Sequence, residues 1–449
     1  MNLAPQSGST DRVGVDAVTW LLLYLAVLYA IPSRLVIPAL GSAGAPSMVL
    51  GLFGFLGWSL YQLSRSRSSN LMRSFPVRRA AVLFIVCVCG SYIAAMTRPI
   101  DGDEVSPADV ALLSVVAWSG TLLVANDLVP SLDRLRRLVH GVAWAGGLVG
   151  LLGLVQFATG DVLIDRISIP GLTSVAFEPF ERAGFLRPSG TATHPIEFGI
   201  ILAMVLPFAL HVAYSGTGRG RFLRWIPAIV LGVAIALTFS RSAYVSFVVG
   251  LVVLIVGWPA RRRITFSITA LIGAAALFAA VPRLFGTISS LFRNVDNDPS
   301  IASRTGSYDL AFEFIAKAPF FGRGLGTFLP KYRIFDNQYL LLLVSLGIVG
   351  TVAVVWLLFT GIRAAVIAAS RSSDPAVKDL ALSAAASIAA GAISFTTFDA
   401  FAFPMTMGTL FLVLGIAGAV HRLAAPGPIG WDEPVLEGGG NEARRRPGG

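Results

Sequence analysis

Charged residues are scarce in this chain, so the few that interrupt its apolar runs are the ones placed to do chemistry. Ser240–Arg241–Ser242 is the sharpest case, because it breaks the apolar run from Trp225 to Trp258. Each half of that run holds about 15 residues, which reaches roughly 22 Å as helix, short of a bilayer core of roughly 30 Å. A tight turn there leaves Arg241 below the membrane surface. An intramembrane arginine costs a few kcal/mol and by default marks a functional site, here one that holds an anion. Snorkelling of Arg241 to lipid phosphates is the alternative.

Two further clusters share this character. Arg187-Pro-Ser-Gly-Thr-Ala-Thr-His194-Pro195 is a run of small polar residues entering an apolar segment, which presents backbone N–H groups toward an anion. Arg187 adds a bidentate phosphate contact. His194 either caps the helix or takes part directly, and Glu197, one turn on, is placed to pair with it. The third cluster runs from Ala318 to Phe328 (APFFGRGLGTF), followed by Asp336-Asn337-Gln338 at the start of the next apolar segment. Its glycines follow no strand and are not a dinucleotide fingerprint. Asp336 puts a carboxylate at a helix start facing the outer cavity, with helix capping by Asp336 or Asn337 as the alternative. Asp399, in TFDAFAFPM, is a further outer carboxylate, with a solvated or Arg-paired loop residue as the alternative. Asp101-Gly-Asp103-Glu104 has hard oxygen ligands for a divalent cation, but a solvated acidic loop accounts for it better. Cys87 and Cys89 at i and i+2 point to different sides of a helix, and the four histidines are scattered, so no metal site and no cofactor are expected.

The elements that position these residues follow from composition. The 449 residues are 55% hydrophobic and only 13% charged, too apolar for a water-facing surface. The reading is an all-α polytopic membrane protein with about 12 transmembrane helices, near 17–37, 45–63, 80–96, 108–125, 138–158, 194–213, 225–239, 243–258, 264–280, 338–358, 380–397 and 404–420. Lys and Arg collect on cytoplasmic loops. With both termini cytoplasmic, that side carries 22 basic against 10 acidic residues and the other 13 against 15. No secretory cleavage signal precedes the first apolar run, which is expected to stay as a transmembrane helix. Residues 1–424 read as one transmembrane domain and 425–449 as a disordered cytoplasmic tail. Two long extracytoplasmic loops, 159–193 and 281–337, the larger between helices 9 and 10, form the functional face. Within the second, Arg304–Lys317 patterns as an amphipathic helix lying on the membrane.

Four elements in this order resemble the O-antigen ligase and O-antigen polymerase superfamily of polyprenyl-diphosphate-dependent glycan transferases. They are RPSGTATHP before a span, TFSRSAYVSFVVG across a turn, Arg304 with Pro319-x-x-Gly322-x-Gly324-x-Gly326-x-Phe328, and Asp336-Asn337-Gln-Tyr-Leu with Gly347-x-x-Gly350. The similarity spans about residues 180–355. It implies a multi-pass protein of the inner (plasma) membrane acting in cell-surface polysaccharide assembly. The implied partners are a polyprenyl-diphosphate-linked glycan donor, a glycan or glycolipid acceptor and membrane lipids, without nucleic acid. By resemblance, Arg187, Arg241 and Arg304, with Arg323 as a weaker candidate, engage the diphosphate. Ligases of that family often place His before the late-loop Asn. Asp336 stands there instead, which moves weight toward a polymerase.

The implied reaction is metal-independent attack of an acceptor hydroxyl on the anomeric carbon. Arg241 stabilises the departing diphosphate and Asp336 takes the proton, with Asp399 as a rival base or an acceptor-sugar ligand. A transporter or flippase of a lipid-linked or anionic substrate is the alternative. It predicts repeats between the halves and charges along a route through the bilayer, neither of which the chain displays.

Overall fold

The structure, a computed structural model, describes residues 16–64, 75–174, 180–182, 184–216, 220–293 and 306–424. The expected contact at Arg304 and the expected disordered tail lie outside the described residues.

Among the described residues the chain is mostly helical. In order the helices are α1 (Ala17–Ala30), α2 (Pro46–Ser64), α3 (Pro76–Met96), α4 (Gly102–Leu128), α5 (Leu132–Thr159), α6 (Pro195–Tyr214) and α7 (Ile226–Ala236). There follow α8 (Arg241–Gly257), α9 (Ala260–Ala280), α10 (Pro282–Arg293), α11 (Tyr308–Lys317), α12 (Gln338–Arg371), α13 (Pro375–Ser394) and α14 (Pro404–Leu423). Proline opens many of them, where its fixed φ suits the first turn and its missing N–H costs nothing. Short polar side chains cap others: Asp16 accepts from Thr19 N (2.9 Å) and Asp374 from Ala376 N (2.8 Å).

Eight of these helices, α3, α4, α5, α6, α9, α12, α13 and α14, are long and apolar enough to cross a membrane. The other four expected runs hold α1, α2, α7 and α8, and of these α1, α7 and α8 are apolar but shorter. The core is built around α6 and α14, buried almost throughout, with α4, α12 and α13 packed about them. Helix α9 buries none of its residues, and with α2 it exposes large aliphatic side chains suited to lipid.

The first long loop is tied down by two small antiparallel ladders. β1 (Leu35–Val36) pairs with β2 (Thr173–Ser174), and β3 (Glu181–Arg182) pairs with β4 (Phe185–Leu186). In the second long loop, α11 begins four residues later than the expected helix. Its Phe314 packs edge-on against Phe328 (5.2 Å between ring centres) and near Tyr332, while Ala311 is buried and Phe312 is exposed. One face of this amphipathic helix is therefore seated on protein.

The segment 319–324 then enters a break in α12. Gly347 has φ +64°, and the opened ladder is closed by the loop: Ile348 N donates to Pro319 O (2.9 Å), Arg323 N to Val344 O (2.9 Å) and Gly324 N to Ser345 O (2.8 Å). A Cβ at Gly347 would overlap Phe320 O, and one at Gly322 would overlap Ser345. The glycines of the late loop thus seal a kinked helix. Backbone polar groups freed inside a membrane need such partners.

Candidate active site

The Arg241 break is real and local. Helix α7 stops at Ala236, α8 starts at Arg241, and Phe239 between them takes φ +47° and is buried. Two of the carbonyls released by the break are satisfied by side chains: Tyr244 OH donates to Ala236 O (2.8 Å) and Arg187 Nε to Thr238 O (3.1 Å). Ser240 caps α8, accepting from Ala243 N (3.4 Å). Phe239 stacks on Phe185 of β4 at 5.5 Å, which fixes the first long loop against the break. Arg241 is half-buried as the first residue of α8. Arg187 and the Arg241 turn, far apart in sequence, are brought to one place.

The run 187–195 is held differently from the expectation. Its N–H groups are spent inside the protein: Gly190 N and Ser189 N donate to Gln156 Oε1 (2.8 and 3.1 Å), Ala192 N to Ser189 O, and Thr193 N to Glu197 Oε2 (2.9 Å). Gln156, on α5 and buried, returns its amide to Val162 O and Gly190 O. The anion cradle of backbone N–H groups read from this run is therefore not formed by these four. What the run contributes is the Arg187 guanidinium and His194.

His194 Nδ1 accepts from Ile196 N (3.0 Å), making it the cap of α6. Burial, and then the Arg187 guanidinium, push its pKa down to about 4. The ring is therefore neutral at pH 7 with its proton on Nε2, a donor rather than a base. It lies edge-on to Phe180 (4.3 Å) and near Phe403 (6.2 Å). The Glu197 contacts go elsewhere than to His194. Its carboxylate is fully buried, accepts from Thr193 N and Oγ1, and receives Met405 N (3.0 Å) and Thr406 N (3.3 Å) at the start of α14. It binds the ends of α6 and α14 together.

The acidic residues meet on the other side of that joint. Asn337 caps α12 by accepting from Leu340 N (3.2 Å), and its own N–H donates to Asp399 Oδ1 (3.1 Å). Gln338 N donates to Phe395 O (2.7 Å), and Phe401 N to Gln338 Oε1 (2.8 Å). The cap is thus Asn337, not Asp336. Asp336 precedes it, half-buried, at φ +49°, a left-handed conformation that Asp tolerates better than most residues. Phe398 packs on Phe403 (5.2 Å), the ring beside His194, so the turn 398–406 joins the two halves. The start of α6 meets that of α14 through Glu197, and the start of α8 meets the loop before α6 through Arg187. The start of α12 lies against the α13–α14 turn. Four helix N-termini, each the positive end of a dipole, thus lie on one face.

Arg323 stands apart from this group. It ion-pairs with Glu104 of α4 and donates to Tyr332 OH (3.2 Å), while Arg98 reaches the same carboxylate (3.2 Å). Glu104, read as part of a solvated acidic loop, is fully buried. Asp103 is held by Lys331 (2.6 Å), and Asp101 accepts from Tyr332 OH (3.3 Å). The hydrogen bond to Asp103 holds the Lys331 pKa above its ordinary value, and the hydrogen bond to Glu104, with burial next, does the same for Tyr332.

The break, the late loop and the start of α12 fall inside one recognisable unit. Residues 226–355 match the O-antigen ligase family model. The match bears out the resemblance carried by the motifs and contains Arg241, Arg323, Asp336 and Asn337. Arg187, His194 and Asp399 lie outside it; Arg187 reaches it through Thr238 O and Asp399 through Asn337 N, while the ring contacts of His194 are to Phe180 and Phe403, also outside it. Curated proteins give no match to the chain. With its apolar helices the chain is a multi-pass membrane protein that carries a segment similar to the O-antigen ligase family at 226–355.

Proposed function

We propose that the chain is a polyprenyl-diphosphate-dependent glycan transferase of the plasma membrane, with twelve crossings, both ends cytoplasmic, and its site on the extracytoplasmic face. An acceptor-sugar hydroxyl attacks the anomeric carbon of the donor glycan. The new glycosidic C–O bond forms as the bond to the diphosphate breaks, and polyprenyl diphosphate leaves with the electron pair. Arg241 and Arg187 stabilise the charge that grows on it, helped by the helix N-termini around them. Asp336 takes the hydroxyl proton. Asp399 serves as the positioning partner of Asn337, since one of its oxygens is engaged by the Asn337 N–H. His194 offers an Nε2–H to a substrate oxygen.

The observation that carries this reading is the Arg187–Thr238 bond, which places a second guanidinium at the Arg241 break inside the matched segment. A metal-free mechanism is supported by the engagement of Asp101, Asp103 and Glu104 by Tyr332, lysine and arginine side chains. Asp336 in place of the ligase histidine favours the polymerase type. The test is reconstitution of the purified protein with a lipid-diphosphate repeat unit. A ladder of chain lengths that persists in chelator supports the reading, a single transfer product assigns a ligase, and no transfer with movement of the lipid across the bilayer assigns a flippase.

A further inference from the structure

Three consecutive residues at the start of α12 are tied to one turn. Asn337 N donates to Asp399 Oδ1 (3.1 Å), Gln338 N to Phe395 O (2.7 Å) and Tyr339 OH to Ala392 O (2.8 Å). Gln338 adds a fourth bond, because its Oε1 accepts from Phe401 N (2.8 Å). This one residue therefore grips the turn on both sides of Asp399, at Phe395 before it and at Phe401 after it. Gln338 is fully buried, and its amide nitrogen has no hydrogen-bond partner among the described residues, so the side-chain tie runs through the oxygen. Phe395 and Phe398 anchor the turn in the core, while Asp399 stays half-buried. These bonds also set the backbone that carries Asp336. The Asn337 N–H belongs to the planar peptide unit that follows Asp336, and the Gln338 N–H to the next one. Both are bonded to the turn, which fixes how Asp336 leaves the loop. Its φ of +49° is left-handed, and such residues persist where the surrounding structure over-determines them.

We propose that Gln338 is a positioning residue for the acceptor side of the site. By closing the turn 395–401 it keeps Asp399 on the Asn337 N–H, and that bond orients Asp336 toward the acceptor hydroxyl. The role rests on the glycan-transfer reading and adds to it the residue through which the two carboxylates are set relative to each other. A selective effect follows. Arg187 and Arg241, assigned to the diphosphate, stand on the loop before α6 and on α8, outside this clamp. Loosening it therefore slows the attack of the hydroxyl and spares the grip on the donor.

The test uses the full-length protein in liposomes with the radiolabelled polyprenyl-diphosphate repeat unit isolated from cells lacking it. Donor affinity and single-turnover transfer per bound donor are measured separately. Gln338→Leu removes the acceptor oxygen and lowers transfer per bound donor by roughly 10–100-fold, the scale of a misplacement of about 1 Å, with donor affinity within about two-fold of the parent. A merely structural residue would reduce the amount of donor-binding protein without slowing what remains. In an Asp399→Ala background the contact that Gln338 secures is already gone, so Gln338→Leu lowers transfer by less than about three-fold further. Tyr339→Phe decides the matter if Gln338→Leu does not fold. It drops only the bond to Ala392 O, keeps the ring against Phe395 (5.5 Å), and lowers transfer about five-fold, the worth of one hydrogen bond, at unchanged donor affinity. Parent-like transfer per bound donor, donor affinity that falls in step with the rate, or losses that multiply fully with Asp399→Ala overturns the role. A parent protein that binds the donor and transfers nothing overturns the glycan-transfer reading, and this role with it.

Discussion

Replacing Glu104 by Gln tests how the late loop is anchored. The Glu104 side chain is 0% exposed, while its partners Arg323 and Arg98 are 22% and 30% exposed. Breaking a fully buried ion pair from one side costs about 3–5 kcal/mol, and an exposed pair contributes about 0–1 kcal/mol. These arginines keep a minority of their surface in solvent, so an intermediate loss of about 2–3 kcal/mol follows. The amide adds to it, because it turns N–H donors toward groups that are themselves donors. The damage is local: Arg98 also donates to Arg323 O (3.1 and 3.3 Å), so the loosened segment is 319–335, the stretch leading to Asp336. Equilibrium unfolding in detergent reads the loss, and limited proteolysis reads the loop. In Glu104→Gln/Arg323→Met the losses are less than additive, by about 1 kcal/mol, because the second change removes a cation that the first left uncompensated. A Glu104→Gln protein within about 0.5 kcal/mol of the parent, or strictly additive losses, refutes the reasoning.

Other expectations follow from the same geometry. Gly347→Ala places a Cβ against Phe320 O at a left-handed φ, and costs at least about 2 kcal/mol, read as lost yield of monodisperse protein. His194 titrates near 6.5 when unfolded but near 4 when folded, so its stabilising contribution is complete above pH 6.5 and is lost as the pH falls toward 4. His194→Asn, which retains a capping oxygen, flattens that part of the stability profile. Asp336→Asn lowers single-turnover transfer by roughly 10²–10⁴-fold. Asp399→Asn lowers it far less, since an amide oxygen still accepts from Asn337 N; equal effects of the two would make Asp399 the base.

Much of the helical layout was legible because apolar runs and their polar interruptions are local signals. Each of the twelve runs holds a helix, and the break falls where expected, with Arg241 starting the helix of the run expected near 243–258. Asn337 caps the helix expected at that point. Partnerships across the chain were not legible. Gln156, an unremarkable polar residue in α5, consumes the N–H groups of Ser189 and Gly190. Glu197 is spent on α14 rather than on its neighbour His194, and Glu104 meets Arg323 more than 200 positions away. Such contacts leave no periodicity to read; the only hint was an apolar setting that could not leave a carboxylate unpaired.

The most direct measurement is the turnover number of reconstituted Arg241→Gln and Arg241→Lys proteins on a lipid-diphosphate glycan. Loss of one preorganised charge donor predicts a fall of roughly 10²–10³-fold for Gln, with Lys between it and the parent because it keeps the charge without the fork. Parent-like turnover in Arg241→Gln, with the protein folded and the donor bound, contradicts a site centred on that guanidinium.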